Sequence, residues 1–273
     1  MTPSSPAATI AERVREVRAR IEAACVRAGR DASEVTLVAV SKTFDVASIA
    51  EVMAAGVADF GENRAQELLP KVEAASKAGL GTREAGDRGP RGGSLRQAQG
   101  RLGSPRTDTG EPGGSDLRWH FIGHLQRNKV REVVPLIHAL HSLDSIRLIE
   151  AVSAARSGVR AASDAARPLP CYLEVNVGGE AQKEGIDRSE VGALLAAAAV
   201  APGIEVVGLM TVAPLVDDAE QARPVFRMLR ELASAHGLRG LSMGMTNDFE
   251  VAIEEGATLV RVGRALFGER APQ

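Results

Sequence analysis

Apolar residues recur every three to four positions from Ile10 to Ala28, with Ile10, Val14, Val17, Ile21 and Ala24 on one stripe and arginines and glutamates around it. That spacing predicts an amphipathic helix, with Gly29 as its stop. The period then changes. VTLVAVSKTF, from Val35 to Phe44, is a short apolar run rich in β-branched residues that ends abruptly in Ser41 and Lys42. It reads as a buried strand. A helix from about Asp45 carries Val46, Ile49, Val52 and Met53 inward and stops at Gly56. VADFGE predicts a second strand leading to Asn63, and Ala65, Leu68, Leu69 and Val72 mark the next helix.

From about 77 to 116 Gly, Arg, Pro, Ser and Thr dominate, and Leu80, Leu95 and Leu102 are almost the only large apolar residues. Such a segment cannot bury enough surface to offset its ordering entropy, so it is expected to be disordered. An Arg/Gly-rich arm for single-stranded nucleic acid is the alternative, but the segment has no aromatic side chain to stack on bases.

Regular patterning resumes at Arg118. WHFIG predicts a strand with a glycine turn, Gln126 through Val134 a helix, IHALHS a strand, and Asp144 to Ala155 a helix. CYLEVNVG is a strand, Val191 to Val200 a helix closed by Pro202 and Gly203, and IEVVGLMTV a strand. A helix from about Asp218 to His236, the short strand LSMGM, a helix from Asp248 to Glu255, the strand TLVRVG and a helical turn in RALFGE follow. About eight strands, each followed by a helix, predict an α/β fold: a single (β/α)₈ TIM-type barrel with an extra N-terminal helix and a disordered insertion. A doubly wound open sheet is the alternative, weakened because no G-x-G-x-x-G follows the first strand.

In such a barrel the chemistry sits at the carboxyl ends of the strands. Those ends offer Ser41 and Lys42, Glu62 and Asn63, Gly123 and His124, Asn176, Met210 and Thr211, Ser242 with Met243 and Gly244, and Arg261 with Gly263. A lysine at the mouth buries its stem, and partial desolvation leaves more free amine to attack a carbonyl. A solvent-facing lysine is the plain alternative. SMGMTND places small residues and hydroxyls ahead of a helix, where backbone N–H groups suit a phosphate. The RVG run adds an arginine to neutralise it and a glycine for close approach. Together these features suggest a phosphorylated aldehyde. Pyridoxal 5′-phosphate (PLP) fits, while a sugar-phosphate aldolase would need similar parts.

Two other patterns lead elsewhere. Gly240 to Gly244 matches the G-x-S-x-G nucleophile elbow, but all five histidines precede Ser242, whereas the hydrolase order puts the histidine after the serine. The pairs His120/His124 and His138/His141 have no carboxylate or cysteine partner by spacing, which favours packing or polar roles over a metal.

The formal net charge of −2 gives no electrostatic reason for a nucleic-acid or membrane partner. Cys25 and Cys171 suggest free thiols in a reducing compartment, and the N-terminal stretch lacks the apolar core of a signal peptide. A cytoplasmic protein is expected. Few large apolar residues fall on the predicted helix exteriors, so a monomer is expected as well.

The blocks LVAVSKTF, FGENRAQELLPKV, WHFIGHLQRNKV, LEVNVGGEAQKEGI, GLMTVAP and LSMGMTNDFEVAIEEGATLVRVGRALFG together resemble the YggS/PROSC family of pyridoxal phosphate homeostasis proteins. The resemblance runs from about Ile10 to Gly268, outside the 77–116 segment. It implies the alanine racemase N-terminal barrel, with PLP held as a Schiff base on Lys42. It implies that Ser242, Gly244, Arg261 and Gly263 form the phosphate-binding end, with Thr246 standing where serine is more usual and keeping the hydroxyl. Asn63 and Met210 match positions near the cofactor ring. Lys183 matches another lysine near the mouth, for which a solvent-facing role is equally open. The resemblance implies a protein that buffers PLP and passes it to apo-enzymes without catalytic turnover. Racemases of this barrel type use a second, β-rich domain and a tyrosine opposite the lysine. The sequence continues little past the eighth strand, and its only tyrosine, Tyr172, begins strand five. No second base is evident. A PLP-dependent racemase or related enzyme is the alternative.

Overall fold

The computed structural model describes residues 8–81, 117–158, 168–178 and 184–268. Most of the 77–116 segment, and Lys183, lie outside the described residues. Eight parallel strands close into a barrel in chain order: β1 (Thr36–Val40), β2 (Asp59–Glu62), β3 (Arg118–Phe121), β4 (Ala139–Leu143), β5 (Leu169–Glu174), β6 (Ile204–Met210), β7 (Gly240–Ser242) and β8 (Leu259–Val262). Around it run α1 (Ile10–Arg27), α2 (Val46–Ala54), α3 (Ala65–Lys77), α4 (Val130–Val133), α5 (Ile146–Gly158), α6 (Val191–Ala199), α7 (Arg223–Ala235), α8 (Phe249–Glu254) and α9 (Arg264–Phe267). The barrel closes where Val38 of β1 pairs with Arg261 of β8. No helix among the described residues is long and apolar enough to cross a membrane.

Helix α1 begins at a capping box, in which Thr9 Oγ1 accepts from the Glu12 N–H at 3.2 Å and the Glu12 carboxylate accepts from the Thr9 N–H at 2.7 Å. Its stripe of Val14, Val17, Ile21 and Ala24 is buried, and the helix packs on α2, α8 and α9. Successive strand residues face alternate sides. Ala39, Phe60, Trp119, Phe121, Leu140, Leu173, Leu209 and Val260 therefore join the helices in one apolar layer.

The opposite face of the strands, inside the barrel, is unusually polar. Register aligns Val38 with Asp59 and Arg261, Asp59 with Arg118, Gly61 with His120, Glu174 with Met210, and Met210 with Ser242. Barrel interiors are ordinarily filled by Val, Ile and Leu. Here His141 of β4 reaches Ser242 of β7 at 2.8 Å, a contact across the lumen between strands that are not neighbours.

Three expectations need correction. Gln126 to Val134 is not one helix: a 3₁₀ turn at Arg127–Lys129, the four-residue α4 and a second 3₁₀ turn at Val134–Leu136 follow one another. Pro135 has no N–H to continue an α-helical ladder, which shortens the run. Strand β1 stops at Val40, so Ser41 and Lys42 stand in the turn beyond it. Tyr172 is the fourth residue of β5 rather than its start, and its ring stacks on His141 inside the barrel with centroids 4.6 Å apart.

Candidate functional site

The turn after β1 is held from several sides. Its first residue, Ser41, receives hydrogen bonds at its carbonyl from Lys71 Nζ (2.7 Å) and the Phe44 N–H (3.0 Å), while its hydroxyl donates to Glu62 Oε1 (2.7 Å). Thr43 has φ 70° and gives its N–H to Glu67 at 2.9 Å. A β-branched residue in the left-handed region is strained, so these contacts must over-determine the turn. Phe44 closes it by stacking on Phe267 of α9 at 4.6 Å. Lys42, half-buried between these fixed residues, projects from a rigid backbone.

The loops after β7 and β8 meet beside it. Arg264 donates to Asn247 Oδ1 at 2.9 Å, which ties one loop to the other. Gly263 lies against β1, since a Cβ added there would stand 3.2 Å from the Val40 carbonyl oxygen. Gly244 has φ +91°, and an added Cβ would come within 2.6 Å of the Ala252 Cβ, so only glycine suits that position. Asp248 accepts from the Met245 N–H at 2.6 Å and folds the β7 loop on itself. Among the described residues the N–H groups of Thr246, Asn247, Gly263 and Arg264 meet no acceptor. Unpaired donors gathered at one rim suit an anion such as phosphate. Helix α8 has only six residues, so these loop amides rather than a long helix dipole carry that suitability.

Ser242 and Arg261 sit below this cradle, both buried. Arg261 Nη1 donates to the Ser242 carbonyl (2.7 Å) and hydroxyl (2.6 Å), and Nη2 donates to the Thr211 carbonyl at 2.9 Å. Burial pulls the guanidinium down to about 10. It is a fixed interior donor, not a surface arginine. Met210 is buried in the adjacent interior position, in register with Ser242. Asn63, half-buried after β2, has a buried Oδ1 with no hydrogen-bond partner among the described residues. Thr246 is half-buried in the β7 loop. The rim thus brings together Lys42, Gly244, Thr246 and Gly263, with Ser242, Arg261 and Met210 beneath.

Several interior groups carry polar chemistry that the linear reading did not single out. Glu174, at the end of β5, is buried, and desolvation pushes its carboxyl up to about 7, with Glu184 adding to the rise. His120 Nδ1 lies 3.0 Å from His141 Nε2, and His120 Nε2 lies 2.9 Å from Asp59 Oδ1. The histidines therefore do find carboxylates, Asp59 for His120 and Asp144 for His124 at 3.3 Å, each from a different strand or loop. Among the described residues no group of three or more His, Cys, Asp or Glu has the arrangement of a metal site. Polar residues at alternate positions of apolar strands, as in DFGE, RWHF and ALHSL, are the signal that would have revealed this interior. Two clefts of about 700 and 600 Å³ open on the β2–β4 side of the mouth; the smaller reaches Asn63, and Lys42 lines neither.

Residues 13–271 match the alanine racemase N-terminal domain. A pyridoxal phosphate homeostasis protein of Aquifex aeolicus is 37% identical over 95% of this chain and 97% of its own length. The chain belongs to the family of pyridoxal phosphate homeostasis proteins. A second member, from Pseudomonas aeruginosa, is 37% identical over 96% of both chains. The solved structure of PipY from Synechococcus elongatus with PLP bound superposes with a TM-score of 0.68, at 29% identity over 95% of this chain and all of that one.

Proposed function

We propose that this chain binds PLP reversibly through Lys42, buffers its free concentration and delivers it to apo-enzymes in the cytoplasm. The observation that carries the reading is the pairing, on one rim, of a lysine held by a rigid turn with unpaired loop amides opened by Gly244 and Gly263. The residues fit the group. The Lys42 amine would tether its aldehyde, the amides of the β7 and β8 loops with Thr246, and with Ser242 and Arg261 beneath them, would hold its phosphate, and Asn63 and Met210 would lie near the ring. When bound, the cofactor supplies an electrophilic aldehyde on an electron-withdrawing ring. The protein's own contribution is to bind and orient it.

A carrier rather than an enzyme is favoured by the place of Tyr172. It stacks on His141 within the barrel, and burial pushes its phenol up to about 12, which leaves it a poor proton donor or acceptor at neutral pH. Action as a single copy completes the reading. Among the described residues the exposed large apolar side chains Val26, Ile146 and Val200 stand on separate elements, and only Val212 and Leu215 share a loop.

The deciding experiment is the absorbance spectrum of the purified protein with PLP, before and after borohydride reduction, followed by peptide mass spectrometry. A reduced adduct on Lys42, lost in Lys42→Ala, is expected, together with transfer of PLP to an apo-enzyme and no exchange of α-protons in amino acids. A spectrum without a reducible adduct on Lys42 removes the central claim.

A further inference from the structure

A file of hydrogen bonds crosses the barrel from its floor to its rim, with a fixed donor at one end and a fixed acceptor at the other. Arg261 has only N–H groups to offer, so Nη1 donates to Ser242 Oγ at 2.6 Å. Asp59 as a carboxylate only accepts, from Arg118 Nε at 2.7 Å and from His120 Nε2 at 2.9 Å. Ser242, which accepts from Arg261, is placed to give its own proton to His141 Nδ1, 2.8 Å away. His141 then carries its proton on Nε2 and donates to His120 Nδ1 at 3.0 Å. In that direction both imidazoles are Nε2–H tautomers, and each proton from Ser242 onward points towards Asp59. Burial around His141 favours that uncharged state.

In this arrangement the Ser242 proton is committed to His141. For Ser242 to donate to a ligand oxygen at the rim, His141 must turn an N–H towards it in place of a lone pair. His141 Nε2 then needs a donor on His120 Nδ1. His120 cannot surrender the Nε2–H that faces Asp59 without setting a lone pair against a carboxylate. One additional proton resolves the conflict, and it lies on the His120–Asp59 pair.

Building on the assignment of the β7–β8 rim to the cofactor phosphate, we propose that this file is a proton-linked latch: an anionic ligand oxygen taken by Ser242 binds together with one proton, held between His120 and Asp59. The charged and titratable groups facing the two histidines are consistent with this. Asp59 favours the added charge; Arg118 and Arg261 oppose it. His138, with its ring 5.9 Å from that of His120, and Tyr172 complete the surroundings. Affinity then weakens as pH rises, by up to about tenfold per unit, between the apparent pKa values of the pair in the free and bound protein.

The test uses pyridoxine 5′-phosphate, which has no aldehyde and so keeps Lys42 chemistry out of the proton count. Calorimetric titrations in buffers of different ionisation enthalpy, at several pH values, measure protons taken up by the full-length protein and by His120→Gln. The wild type is expected to take up as much as about one proton more than the variant. Equal uptake with both proteins binding overturns the latch. If the wild type binds PLP in reducible form but not pyridoxine 5′-phosphate, the latch fails and the PLP reading survives; if it binds neither, both fail. Should His120→Gln not fold, ¹⁵N-histidine spectra of the wild type decide. Only five histidines contribute, and substitutions at His124, His138 and His236 assign the signals of the other two. Neutral Nε2–H tautomers in the free protein, with His120 becoming imidazolium and His141 Nδ1–H on saturation, are expected. Unchanged tautomers overturn the proposal.

Discussion

Lys71 Nζ lies 2.6 Å from Glu62 Oε1 and 2.7 Å from the carbonyl oxygen of Ser41, the residue before Lys42. The Glu62 side chain is fully buried and that of Lys71 nearly so. Burial raises the Glu62 carboxyl above its ordinary value against the pull of Lys71 and Ser41. The pair is therefore less a source of net stability than a bracket on the Lys42 turn.

Removing one half of that bracket is costly. Lys71→Met leaves a buried carboxylate with only the Ser41 hydroxyl as donor, and a loss of about 3–5 kcal/mol is expected in urea unfolding. The double variant Glu62→Gln/Lys71→Met removes the charge as well and is expected to recover most of that loss. It should still form the Lys42 adduct more slowly, because the Ser41 carbonyl has lost its lysine donor. A double variant as unstable as Lys71→Met alone contradicts the account.

The turn also stores strain at Thr43, whose φ of 70° suits glycine better than a β-branched residue. Relief of that strain exceeds the added freedom of glycine in the unfolded chain, so Thr43→Gly is expected to stabilise the protein by about 0.5–1 kcal/mol. The exposed side chain takes little packing with it. A lower urea midpoint in Thr43→Gly removes the inference of strain.

The two rim glycines are not equivalent. At Gly244 a methyl group meets the Ala252 Cβ at 2.6 Å and the Phe249 Cα at 2.9 Å, on a backbone at φ +91°. Gly244→Ala is expected to cost on the order of 3 kcal/mol and to abolish PLP binding with the loop. At Gly263 the contact is 3.2 Å to the Val40 carbonyl, with φ at −114°. Gly263→Ala is expected to cost about 1 kcal/mol and to weaken PLP binding without unfolding the rim. Equal stability losses would show that the β7 loop is not confined as described.

Local signals carried much of this fold. The β-branched run before Ser41, the stripe on α1 and the glycine-rich ends of β7 and β8 each act over a few residues, so the places of Lys42, Gly244 and Gly263 at the strand ends were legible from the chain alone. What was not legible depends on closure of the barrel. Nothing in the order of residues says that His120 will meet His141 rather than His124, or that Asp59 will lie beneath them, because those partners come from three different strands. That Arg261 is held inside the barrel was not legible for the same reason: its acceptors, Ser242 and Thr211, become neighbours only when β6, β7 and β8 align. The composite of 3₁₀ turns around α4 escaped because its apolar spacing mimics a single helix until Pro135 interrupts it.

Glu174 offers a test of that polar interior by pH. Burial, aided by the charges of Glu184 and Asp144 and opposed by Arg261, raises its carboxyl from 4.5 to about 7. The folded protein therefore retains a proton that the unfolded chain releases, and stability falls as pH rises from about 4.5 to about 7. Above that window the full cost is present, on the order of 3 kcal/mol. Glu174→Gln never acquires the charge. Without PLP it is expected to match the wild type below pH 4.5 and to exceed it in stability above pH 7, with the gap opening between those values. Urea midpoints measured across that range check the sign directly. Parallel curves for the two proteins would mean that the Glu174 carboxylate is already solvated at the mouth, and that the interior around Arg261 admits water more freely than its burial implies.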